Sequence, residues 1–92
     1  MAIEITHVRF SGTNRVVTEI IAYQWVSLDN DKVTSSNKPT LVEWVDGGGK
    51  AYVGKGAQRV NVGVVRPTGG EAYLRTYADG NWTNNLESLP TF

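Results

Sequence analysis

Reactive chemistry in this chain would have to come from very few side chains. His7 is the sole histidine and there is no cysteine. A zinc site built from the protein alone would need three carboxylates around His7, and a Ser-His-Asp relay could use only that imidazole. His7 lies in the run Ile5-Thr6-His7-Val8-Arg9, with no nucleophile motif beside it, so an ordinarily solvated strand histidine is expected. Residues 49–56, GKAYVGKG, nearly spell the phosphate-binding G-x-x-x-x-G-K-[ST]. That motif needs a closing hydroxyl to hold magnesium, and a helix must follow it. Gly56 occupies the hydroxyl position, Ala51-Tyr52-Val53 has strand character, and another strand-like run comes next. The match is a decoy. Asp29-Asn30-Asp31 opens like a calcium loop but lacks the glycine and the closing glutamate at the required spacing. Asn81-Trp82-Thr83 spells a glycosylation acceptor that means nothing without a leader peptide. No catalytic, cofactor-binding or metal-binding residue follows from these patterns, and no enzyme activity is expected.

The constellation that remains mixes arginines with rings: Arg59, Arg66, Tyr73, Arg75, Tyr77 and Trp82, with Tyr52 nearby. Tyr73, Arg75 and Tyr77 share one face of a strand by simple alternation. Rings and guanidiniums on a sheet face are a common way of holding single-stranded nucleic acid. The charge argues the other way. Nine basic residues meet nine acidic ones; residues 1–46 hold four bases against six acids, and residues 47–92 five against three. Neutralising phosphates takes a denser basic stripe than this. The first reading is a binding domain that acts on a protein partner. A nucleotide or single-stranded nucleic acid is the alternative.

Elements must position those residues, and 92 of them make one domain with one core. The start, MAIEITHVRF, has no basic segment followed by an apolar one, so no signal peptide is expected. Purely apolar runs reach four residues at most, too short to span a membrane as a helix. With no cysteine, a cytoplasmic protein is the expectation. Residues 2–10 alternate as a strand, 11–14 are turn formers, and 15–28 read as a longer second strand. This second run is apolar on both faces: Val16, Ile20, Ala22 and Val26 against Val17, Ile21, Tyr23 and Trp25. Such a strand is central, or it meets a helix on one side and a partner on the other, so a homodimer stays open. Residues 29–38 read as a polar loop. Pro39 suits a first helical turn, Leu41, Trp44 and Val45 form its stripe, and Gly47-Gly48-Gly49 ends it. Three more strand-like runs follow at 50–55, 58–67 and 71–78. The fold class is α+β: an antiparallel sheet in the order β-β-α-β-β-β with one short helix packed on it.

The closing stretch YLRTYADGNWTNNLESLP carries a resemblance. With Ile5-Thr6-His7-Val8-Arg9, Trp44-Val45 through Gly47, Ala51-Tyr52-Val53, Arg75-Thr76 with Asp79, and Asn85-Leu86 with Leu89-Pro90, the chain resembles the small bacterial family termed domain of unknown function 3892. Asn84 stands where that family's pattern has an acidic residue. The resemblance implies the domain bounds and the fold, and no activity. The residues themselves make residues 79–92 a closing tail packed on the core, a structural clasp. Asp79-Gly80 is a turn signal, Asp79 can accept backbone N–H groups or pair with Arg75, Asn84 and Asn85 suit a turning chain, and Leu86 and Leu89 enter the core edge. By class analogy, small neutral β-rich proteins also serve as phage or mobile-element inhibitors of host complexes.

Overall fold

Alternating β-branched residues in AIEITHVRF produce strand β1 (Ala2–Phe10), the strand around which the others assemble. The computed structural model describes every residue except 1, 55, 57, 58, 79 and 84. After β1 come β2 (Ile20–Ser27), β3 (Val33–Asn37), helix α1 (Lys38–Asp46), β4 (Lys50–Val53), β5 (Val60–Val65), β6 (Tyr73–Ala78) and β7 (Asn81–Thr83). They form one sheet in the order β3-β2-β1-β4-β5-β6-β7. Every pairing is antiparallel but one: Ala2–Glu4 of β1 run parallel to Lys50–Tyr52 of β4. The chain makes that parallel connection through β2, β3 and α1, and α1 lies against one sheet face.

The α+β class and the packed helix agree with the sequence reading. Three boundaries differ. Residues 15–19 are not strand: Val17–Glu19 form a 3-10 turn. That turn is held by Ser11, whose N–H donates to the Glu19 carbonyl at 2.8 Å and whose hydroxyl meets the Glu19 carboxylate at 2.6 Å. Residues 33–37, read as part of a polar loop, are β3, an edge strand that pairs through backbone while most of its polar side chains stay in water. Residues 81–83, read as tail, are β7.

Helix α1 starts where Asn37 accepts the Thr40 N–H at 3.0 Å, with proline in the first turn. It stops at Gly47, whose N–H still reaches Glu43, and Gly48 follows at φ 108°. Leu41 and Val42 descend into a core made by Ile3, Ile5, Val8, Ile20, Tyr23, Ala51, Val53, Val62 and Leu74. Trp44 and Val45 pack at its margin. A register shift between Arg9 and Phe10 sets Phe10 opposite Ile20. Ile20 therefore turns inward and Ile21 is left 45% exposed, where unbroken alternation would have grouped Ile21 with Tyr23.

Candidate interaction face

Residues directly opposite in neighbouring strands point to the same side of a sheet. The pairs Val33↔Val26, Val26↔Glu4, Glu4↔Tyr52, Tyr52↔Asn61, Asn61↔Tyr77 and Tyr77↔Trp82 thus form one row across all seven strands. It lies on the face opposite the core and α1. A shorter row beside it holds Gly63↔Arg75 and Val65↔Tyr73. Of the residues singled out from sequence, Tyr73, Arg75, Tyr77 and Trp82 stand together here. Arg59 joins them, its guanidinium 4.5 Å from the centroid of the Tyr52 ring. Arg66 does not. It pairs with Asp46 at the end of α1, on the helix side, because β5 has ended at Val65 and strand alternation no longer aims it.

Tyr77 and Trp82 meet edge to face with centroids 5.3 Å apart, and are 41% and 43% exposed. Trp82 lies close over β5 because Gly63 has no side chain; a Cβ there would come within 3.3 Å of the ring. Arg75 donates from Nε to the Thr83 carbonyl at 3.1 Å, which fixes its direction along β7. A bulge between Ile5 and His7 shifts the alternation of β1 by one residue, so Ile5 and Val8 both turn inward while His7 faces outward opposite Gln24 and Arg9 opposite Ala22. The His7 ring sits 2.9 Å from the Thr6 hydroxyl, which donates to the Gln24 carbonyl. Among the described residues, no three histidine, aspartate or glutamate side chains gather as a metal site.

Charge divides between the two faces. The outer face carries Arg9, Lys50, Arg59 and Arg75 against Glu4 among the described residues. On the helix side, Asp46 and Glu71 meet Arg66 and Lys38. Lys38 is buried and also donates to the Thr18 carbonyl at 3.2 Å. In the core beneath, burial pushes the Tyr23 phenol well above its ordinary value of 10.0; the nearby Glu71 charge adds to this and the Leu74 backbone opposes it. The Tyr23 hydroxyl lies near the Leu74 backbone but in no geometry that makes a well-formed hydrogen bond, and no other described group bonds it.

The outer face also has an opening. Strands β4 and β5 pair only at Tyr52↔Asn61 and Val53↔Val60, although β5 runs on beside β6 to Val65. From Asn61 onward the two strands fork. A cavity of about 290 Å³ lies there, lined by Gly49, Lys50, Ala51, Tyr52, Asn61 and Val62. The residues that resembled a phosphate loop are therefore strand β4 and the wall of a fork; Lys55, the lysine of that pattern, lies outside the described residues.

The tail is strapped along β1. Leu86, on a 3-10 turn at Asn85–Ser88, is fully buried, and half-buried Leu89 packs on the same core. Val8 donates to the Pro90 carbonyl at 3.0 Å and accepts from the Phe92 N–H at 3.3 Å, so the tail runs parallel to β1 where β4 no longer accompanies it. Asn85 donates its N–H to the buried Thr76 hydroxyl. Asp79 and Asn84, also expected in the clasp, lie outside the described residues. Two arginines not singled out from sequence fasten the strap. Arg15 donates to the carbonyls of Glu87 and Leu89, both at 2.9 Å, and Arg9 to that of Phe92 at 2.9 Å. Each guanidinium also lies over a ring, Arg15 on Phe10 and Arg9 on Phe92. Glu87 accepts the Val17 N–H from the other direction. No local spacing signals a bond between residues 74 positions apart.

No curated protein and no solved structure matches the chain significantly. The family model described as "Protein of unknown function (DUF3892)" matches residues 4–90, from the second residue of the first ordered strand's outer row through the proline of the strap, and the chain belongs to that family.

Proposed function

We propose that this protein is a non-enzymatic binding domain whose uncovered sheet face engages a protein partner. The observation that carries this reading is the state of the rings on that face. Tyr52 is covered by Arg59, Tyr77 and Trp82 lean on each other, and Trp82 rests on β5. Bases need free ring faces for stacking. Here the rings are engaged by neighbouring side chains and form a surface of tyrosine, tryptophan and arginine, the side chains that dominate protein-binding hot spots. A nucleotide or single-stranded nucleic acid remains the second reading, and the excess of outer-face cations over Glu4 favours it.

The test pairs capture with stability. Tagged wild-type protein is expected to retain a protein that the Tyr77→Ala/Trp82→Ala variant loses, while Arg66→Ala retains it and all three melt cooperatively. Equal capture by the wild type and the ring variant overturns the reading. Oligonucleotide binding tighter than about 100 µM at low salt, lost in the ring variant, would establish the second one instead.

A further inference from the structure

We infer that the fork between β4 and β5 receives an extended segment of a protein partner, with a carboxylate of that segment set beside Lys50. The inference deepens the reading of the outer face and rests on it. In an antiparallel ladder a strand turns its N–H and C=O groups alternately to its two neighbours. Past Asn61, the groups of β5 that face away from β6 meet no strand, and no other backbone bond among the described residues takes them up. An unpaired strand edge is a template for another strand, and strand addition is a recurring mode of peptide capture.

Free edges also exist at β3 and β7, the two ends of the sheet. The fork differs in its chemistry. Lys50 is exposed and makes no ion pair with a described carboxylate, and the exposed Asn61 amide makes no side-chain hydrogen bond among the described residues. A cation and a two-way amide thus stand at the opening beside a strand edge, with the Tyr52 ring as a wall. The cavity, about 290 Å³, sits at the small end of ligand pockets and suits a short stretch of chain rather than a folded surface. The nearby charge selects its sign: among the described residues Lys50 and Arg59 face outward beside the fork against Glu4, so an acidic segment is complementary.

The probe is a peptide of about ten residues alternating valine and glutamate, titrated into nitrogen-15-labelled protein up to about 5 mM. The expected result is shift changes centred on Lys50, Asn61 and Val62–Val65, with amide exchange on β5 slowed about tenfold or more. Lys50→Glu should weaken binding at least about tenfold and Lys50→Gln by less, both in folded protein. Proline at every second peptide position removes the donors and should abolish binding. No response to the valine–glutamate peptide overturns the proposal, and so do shifts confined to β3 or β7 or equal binding of a valine–lysine peptide. If the peptide gives no response while Tyr77→Ala/Trp82→Ala still loses the captured partner, the fork alone is wrong. If the peptide binds at β5 while that variant still captures the partner, the ring surface alone is wrong.

Discussion

Arg15 holds Leu89 in place from the opposite end of the chain: one Nη2 donates at 2.9 Å to the Leu89 carbonyl and to that of Glu87. The guanidinium is exposed, so water competes for both bonds and the gain is modest. Arg15→Ala should cost about 1 kcal/mol, read as a lower midpoint in urea. Arg15→Lys should recover less than half of that loss, because a compact, strongly hydrated ammonium cannot replace the flat guanidinium that lies on the Phe10 ring. An unchanged midpoint in Arg15→Ala would show that the strap holds without it.

Leu86 is fully buried and Leu89 half-buried, so the two should not weigh equally. Leu86→Ala is expected to cost about 3–4 kcal/mol and Leu89→Ala about 1–2 kcal/mol. A domain of this size has about 5–10 kcal/mol in hand, so the double variant should be largely unfolded at 25 °C by circular dichroism. A folded double variant would mean that the tail serves as a binding element and not as a clasp.

The indole of Trp44 lies over Gly49, and a Cβ on Gly49 would sit 2.5 Å from its ring atoms. Gly49→Ala should therefore cost about 1–3 kcal/mol through forced repacking. In a Trp44→Ala background the same change should cost a few tenths of a kcal/mol. Thermal melts of the four proteins in this cycle measure the coupling directly.

Tyr23 gives a pH signature. Its folded-state phenol lies above the unfolded value of 10.0, chiefly through burial. The neutral form is the one the core accepts, so its contribution is fully present below pH 10 and is lost as pH rises through the folded value. Stability of the wild type should fall between pH 9 and 11 more steeply than that of Tyr23→Phe. At pH 7 the phenylalanine variant should match or exceed the wild type by up to about 1 kcal/mol, because it removes a buried hydroxyl without a partner. Denaturation midpoints at both pH values check the sign.

How much of this was legible depended on range. Ala2–Phe10 and Tyr73–Ala78 alternate strongly enough for local pattern to place them, and Pro39 with three glycines bounded the helix. The Tyr73, Arg75 and Tyr77 face followed from parity alone. β3 was hidden because Val33–Asn37 is mostly hydroxyl and amide residues, and backbone pairing at an edge needs no apolar stripe. The parallel pairing of β1 with β4 was hidden because nothing in either strand names its neighbour. Arg66 misled since it sits one residue past the strand that would have aimed it.

The parallel lane of residues 90–92 along β1 also orders events in time. The segment that supplies Leu86, Pro90 and Thr91 is synthesised after everything it covers. On the ribosome, Val8 waits with an open lateral edge and the seat of Leu86 stands vacant. Contacts that join positions so far apart also slow the search for the native arrangement. The fold therefore becomes cooperative only once residues 86–92 have emerged from the exit tunnel and reached β1.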